Sequence, residues 1–154
     1  MQQFQNLKVY LDTCCVNRLF DAQVQDRVQR ETQAITRILG YFLTRQWAWI
    51  SSEILENEVN ANPDLQRRAR VISVMEHINQ TFSVRIQEQT RGEELEVLGF
   101  RSYDALHIAC AESGEADILL TTDDRMLNLA QRHRAQLRVR VENPYTWLQE
   151  MDRS

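Results

Sequence analysis

The sequence predicts a three-layer α/β/α domain around a central, mostly parallel sheet of four or five strands. Three observations carry this reading. Short β-rich runs alternate with helical periodicities along the chain, and two of the apolar runs stop at an acid in the same relative place. No repeat, Pro/Gly-rich linker or low-complexity stretch divides the 154 residues, so a single domain over 1–154 is expected. A chain of that length buries a core without disulfide or metal staples.

Taken in order, residues 7–13 (LKVYLDT) read as a first strand ending in a polar Asp-Thr. Residues 29–43 carry Ala34, Ile35, Ile38, Leu39 and Phe42 at three-and-four spacing, one apolar stripe of a helix. Residues 47–52 (WAWISS) form a second strand. Ile54, Leu55 and Val59 mark a short helix stopped by Asn62-Pro63, because the residue before proline is pushed out of helical backbone. Asp64 is placed to cap the next helix, which runs through Val71, Ile72, Val74, Met75 and Ile78. Residues 82–86 are expected as a third strand, and 87–98 as a helix weakened by Gly92. Residues 102–111 are apolar on nearly every side, the mark of a buried helix. Residues 116–122 (ADILLTT) give a fourth strand and 124–133 a helix. Residues 137–142 alternate apolar and charged, a strand with one solvated face, and 145–151 close the chain as a helix.

Composition narrows the function classes. The apolar runs, such as 118–120, are too short to span a bilayer. Met1-Gln2-Gln3-Phe4 lacks the basic start and apolar stretch of a signal peptide, so a cytoplasmic protein without membrane attachment is expected. Cys14, Cys15 and Cys110 form neither a CxxC pair nor a zinc spacing, and their odd number argues against a disulfide framework; they read as buried, reduced thiols. Net charge is −4, but a site holding uncompensated carboxylates makes a metal-free chain look acidic. Of the 18 basic residues only Lys8 is lysine, and the arginine bias permits bidentate contacts to phosphate. There is no Walker A and no GxGxxG, which removes the nucleotide-binding classes.

The acids carry the chemistry. Asp12 follows Val9-Tyr10-Leu11, and Asp123 follows Leu119-Leu120-Thr121-Thr122. In a parallel sheet both strand ends lie on one rim, where ligand sites form. Carboxylates brought together there repel and raise each other's pKa unless a cation neutralises them. Hard oxygen donors without cysteine or histidine clusters suit Mg²⁺ or Mn²⁺. Asp104 opens the apolar helix, where the helix dipole alone would also explain an anion. In the segment 53–59, Glu53 is explained by the same dipole, while Glu58 can sit at the border of the stripe formed by Leu55 and Val59. Spacing alone does not choose between Glu56 and Glu58. Each acid taken singly has a turn or capping explanation. The succession of strand end, helix, helix start and strand end is what argues for a site.

The segments Val9-Tyr10-Leu11-Asp12-Thr13, Gly99 through Ala111 (GFRSYDALHIACA) and Leu120-Thr121-Thr122-Asp123-Asp124-Arg125 resemble, in order, the motifs of the PIN-domain family, and most closely its small bacterial VapC-type toxins. The resemblance runs from about Val9 to Pro144. It implies a PIN-like fold, with Asp12, Glu58, Asp104 and Asp123 as catalytic metal ligands. Thr13, Thr121, Asp124 and Glu56 are then candidates for supporting those ligands, although capping explains the two threonines equally well. The family likeness further implies a Mg²⁺- or Mn²⁺-dependent endoribonuclease, an RNA substrate, a small antitoxin partner and a homodimer. A water activated by the ion would attack the scissile phosphate in line, with no serine, histidine or cysteine nucleophile. Two other readings of the same fold stay open: a catalytically inactive interaction module, and an RNA-processing nuclease that is not a toxin. A phosphoryl-transfer domain built on Asp12 fits poorly, since the second position after it is Cys14 and Lys8 precedes the strand.

Other residues are read more plainly. His107, three residues after Asp104, would reach that carboxylate or a phosphate, but a core or rim histidine is the preferred reading. His77 and His133 carry no evident chemistry, and Trp47, Trp49 and Trp147 fit a core better than a base-stacking platform. Arg67, Arg68 and Arg70, and Arg132, Arg134, Arg138 and Arg140, are two clusters suited to phosphate contacts or to a solvated face.

Overall fold

The computed structural model describes residues 5–153; residues 1–4, where the signal-peptide reading falls, and residue 154 lie outside it. The chain runs β1 (Lys8–Leu11), α1 (Thr13–Arg18), α2 (Asp26–Leu43), β2 (Ala48–Ser52), α3 (Glu53–Asn60), α4 (Leu65–Met75) and β3 (Gln80–Phe82). It continues α5 (Ile86–Val97), α6 (Ser102–Ser113), β4 (Ile118–Leu120), α7 (Asp124–Arg132), β5 (Arg140–Glu142) and α8 (Pro144–Asp152). The five strands are all parallel, in the order β3-β2-β1-β4-β5. The chain therefore leaves β1 toward one edge, then returns beside β1 and builds toward the other. The junction of β1 and β4 is the topological switch point, where the loops diverge and leave a crevice at the strand ends.

Strand alternation sorts the core into two halves. Val9 and Leu11 of β1 join Trp49, Ile118 and Leu120 on one face, covered by α1 to α4 and α8. Tyr10, Ile50 and Leu119 point to the other face, under α5, α6 and α7. The tryptophans lie in the first half: Trp49 is fully buried, with Phe42 stacked on it at 5.3 Å between ring centroids, and Trp47 stacks on Tyr41 at 4.2 Å. α6 buries Ala105, His107, Ile108, Ala109, Cys110 and Ala111, as its apolar sequence requires. Gly92 is a packing residue rather than a weak point. A Cβ there would lie 3.0 Å from the Leu106 side chain, so glycine lets α5 press against α6.

Several elements differ from expectation for physical reasons. The third strand is Gln80–Phe82, and Ile86 opens α5 with its side chain 81% exposed. This strand is held to the sheet through its ladder with β2 rather than by burial, so apolar spacing does not mark it. The fourth helix ends at Met75, before Ile78, as the chain turns back to the sheet. There the Asn79 side chain accepts the Trp49 N–H at 2.7 Å. α1 was not anticipated; its six residues are too few to show a period, and its N-cap is Asp12 itself. Asp64 caps α4 as expected, accepting the Arg67 N–H. Among the described residues no helix is long and apolar enough to cross a membrane.

Candidate active site

The site is assembled from the ends of β1 and β4 and from two helices. The Asp12 N–H continues the sheet ladder to Leu120 O at 3.1 Å, while its side chain accepts the Cys15 N–H at 3.1 Å and so caps α1. This double duty fixes the carboxyl at the switch point, 4% exposed. Asp123, which directly follows the two threonines after β4, caps α7 by accepting the N–H groups of Arg125 and Met126 at 2.9 and 3.3 Å. Asp104 sits in the first turn of α6, and Glu58 near the end of α3. All four acids line one cleft of about 360 Å³, together with Thr13, Cys14, Arg101, Tyr103 and His107.

The electrostatics of the cleft follow from this crowding. Burial pushes the Asp104 carboxyl up to about 6, and the Asp12 and Asp123 carboxylates push the same way. Asp12 is also raised, first by burial, with His107, Cys14 and Thr121 acting against it. Glu58 goes the other way. Burial alone would raise it, but hydrogen bonds from His107 (2.5 Å) and Thr13 (2.7 Å) more than offset that. No lysine or arginine pairs with any of the four acids among the described residues. Nor do three His, Cys, Asp or Glu side chains among those residues stand in a ready metal-holding cluster. The donor chemistry, carboxylate oxygens with which no lysine or arginine of the described residues pairs, fits a hard divalent cation such as Mg²⁺ or Mn²⁺.

Glu56 is exposed and lies outside the cleft, whereas its neighbour Glu58 lines it. Asp124 also faces away, its two oxygens held by Arg27 at 2.8 and 2.9 Å. Thr13 bonds Glu58, and Thr121 accepts the Asp123 N–H at 3.1 Å. Cys15 and Cys110 are buried free thiols, but Cys14 is only half-buried and borders the cleft, its Sγ 2.9 Å from Asp12. His107 bonds Glu58 and Tyr10 rather than Asp104. Several of the arginines singled out in the sequence are used internally. Arg67 binds Asp21 and two backbone carbonyls, Arg68 binds Asn62 O, and Arg140 pairs with Glu142 and Glu150. A larger groove of about 650 Å³ beside β5 contains Arg134, Arg138 and Arg140 but none of the four acids. The arginine that borders the cleft is Arg101, beside Tyr103, which is 53% exposed; sequence reading passed over both. It also passed over Tyr10, although alternation places it on the face of Asp12.

No protein-family model matches the sequence, and no curated protein sequence does. Solved structures do match the fold. The crystal structure of VapBC2 from Rickettsia felis, bound to a DNA fragment from their promoter, matches with a TM-score of 0.58 at 13% identity, covering 89% of this chain and 98% of that one. The fold is PIN-like. VapBC-1 from nontypeable Haemophilus influenzae matches with a TM-score of 0.57 at 12% identity, over 90% of this chain and 98% of that one. PAE2754 from Pyrobaculum aerophilum gives a TM-score of 0.54 at 14% identity, over 96% and 91%. At these identities the shared property is the PIN-like architecture, and the acids of this chain must argue their own chemistry.

Proposed function

We propose that this PIN-like chain is a Mg²⁺- or Mn²⁺-dependent endoribonuclease, with Asp12, Glu58, Asp104 and Asp123 as its metal-binding acids. The observation that carries the reading is the convergence of all four acids on one cleft, where no lysine or arginine of the described residues pairs with them and where burial, Asp12 and Asp123 raise the Asp104 carboxyl to about 6 against the opposing pull of His107. An arrangement that costs the metal-free fold stability is explained if a cation completes it. Asp12 and Asp123, each fixed by backbone donors, form the rigid part of the site. Thr13 and His107 hold Glu58 across the cleft. The ion, when bound, supplies Lewis-acid charge that activates the attacking water and offsets charge on the leaving oxygen. Arg101 and the exposed Tyr103 at the mouth suit the phosphate and a base of a single-stranded substrate.

The same reading makes the chain the toxin of a type II toxin–antitoxin pair, held by a small antitoxin protein in the cytoplasm. Two matching structures bear the VapBC name. Leu65 and Ile72, seven residues apart on α4 and 69% and 42% exposed, offer a protein partner an apolar stripe. Retention of all four acids weighs against an inactive interaction module.

The test is cleavage of single-stranded RNA by the purified chain with Mn²⁺ or Mg²⁺, with chelator, and after Asp12→Asn. Metal-dependent cleavage that drops to background in the variant supports the reading. Cleavage that persists in chelator, or full activity of the variant, contradicts it. Expression of the chain alone should arrest growth; harmless expression of an active enzyme would indicate an RNA-processing role instead.

A further inference from the structure

His107 is buried in the second core half, 1% exposed, yet both of its ring nitrogens have polar partners. Nδ1 lies 2.6 Å from the Tyr10 hydroxyl, and that hydroxyl lies 2.7 Å from Ser52 Oγ. Ser52 Oγ in turn accepts the Ile54 N–H at 3.2 Å, as the N-cap of α3. A carboxylate oxygen only accepts, so His107 Nε2 carries a proton and donates it to Glu58 Oε1, with Thr13 Oγ1 also 3.4 Å from that nitrogen. The Tyr10 hydroxyl bridges His107 Nδ1 and Ser52 Oγ, giving to one and accepting from the other. Tyr10 and Ser52 are both fully buried, so no water competes for these bonds. Thr13 donates to the same oxygen, which leaves Glu58 Oε2 without a hydrogen-bond partner among the described residues.

The rest of the core accounts for none of this. An apolar side chain would fill the position on α6 as well as its neighbours Ala105, Ile108 and Ala109 do, and would not bury three polar groups beneath β1 and β2. A buried polar chain is tolerable only when fully satisfied, and this one is satisfied by ending on an acid of the cleft.

We propose that His107 is a positioning residue for the divalent cation. Through the Ser52–Tyr10–His107 relay it pins Oε1 of Glu58, so that Oε2 is presented to the ion in a fixed orientation. The proposal rests on the nuclease reading above, which supplies the cation. Residues that orient a metal ligand without touching the metal typically change affinity by about 10–100-fold when removed. Glu58 is the acid that most needs such help. Asp12 and Asp123 are short side chains tied to backbone donors, whereas Glu58 has one more rotatable bond and no backbone donor on its carboxylate.

The test is Mn²⁺ binding to the metal-free full chain without substrate, read from the electron paramagnetic resonance signal of free Mn²⁺, with thermal melting of each variant alongside. His107→Leu should weaken binding by about 10–100-fold. His107→Gln, whose amide keeps a donor for Glu58, should recover most of that loss. In the combined His107→Leu, Glu58→Gln chain, affinity should be no worse than in Glu58→Gln alone, because both changes remove one effect. Tyr10→Phe deletes a single hydroxyl and should weaken binding by a smaller factor, which keeps the proposal testable if His107→Leu fails to fold. Unchanged affinity in a folded His107→Leu chain or, where that chain does not fold, in Tyr10→Phe, overturns the positioning role. Fully additive losses in the double variant overturn it too. If the unaltered chain takes up no Mn²⁺, the nuclease reading itself fails and takes this inference with it. Binding by the unaltered chain that is indifferent to His107 removes the inference alone.

Discussion

Glu31 and Asp12 are equally hidden, 2% and 4% exposed, yet the fold treats them oppositely. Glu31 on α2 pairs with Arg18 at 2.9 Å and Arg27 at 3.2 Å, and accepts the Asn143 amide at 2.6 Å. Its charge is balanced on the spot, and the network ties α2 to α1 and to the start of α8. Arg27 extends it to Thr122 O and Asp124, bracing the loop that carries Asp123. Asp12 receives hydrogen bonds but pairs with no lysine or arginine among the described residues, and burial raises its pKa against the opposing pull of His107. Burial of an acid is therefore not in itself a sign of function. What separates the two is whether the chain supplies the opposite charge. Where it does, the acid is part of the scaffold; where it does not, the acid is left to take up a proton or a cation, which makes it a candidate functional group.

Substitution should drive the two sites in opposite directions. The largest effect is expected from Asp12→Asn, which should bring RNA cleavage to background while circular dichroism and melting stay near those of the unaltered chain. Glu31→Gln should do the reverse. Removing one partner of a buried pair costs about 3–5 kcal/mol. With Arg18 19% and Arg27 47% exposed, the lower end is expected, a melting point down by roughly 6–12 °C while each folded molecule still binds Mn²⁺.

Asp104→Asn comes next. Relief of repulsion should raise the melting point of the metal-free chain by about 2–4 °C and weaken Mn²⁺ binding, so stability and affinity move apart. The same residue sets a pH dependence. Its folded pKa, about 6, lies above its ordinary 3.8, so its contribution to metal-free stability is complete below 3.8 and is lost as pH rises through 6. Metal competes with that proton, so Mn²⁺ affinity should climb over the same interval. Melting against pH, with and without Mn²⁺, checks both signs. The smallest effect is expected from Asp124→Asn. Its pair with Arg27 is exposed on both sides, 66% and 47%, and should be worth only about 0.2–1 kcal/mol.

Much of this was legible in the sequence because it depends on local periodicity. The apolar runs 9–11 and 118–120 announce central strands, and the acids just beyond them fall on one rim once the sheet is parallel. The Glu56 and Glu58 alternatives lay beyond sequence reading, because the two side chains differ by about 200° around the helix and only the packing of α3 decides which one faces the cleft. The role of His107 was hidden for another reason. Its partners Tyr10, Ser52 and Glu58 lie 97, 55 and 49 positions away, and only the β1–β2 pairing and the seat of α6 bring them together. The edge strand β3 was expected at 82–86 and lies at 80–82, because a strand held by its ladder leaves no apolar alternation to fix its bounds.

The central claim is that the cleft is completed by a divalent cation. Calorimetric titration of MnCl₂ into metal-free protein, with the unaltered chain and Asp12→Asn run side by side, tests it most directly. Saturable uptake by the first and its collapse in the second is the predicted result. An empty titration of the unaltered chain, or two superimposable isotherms, would contradict the account.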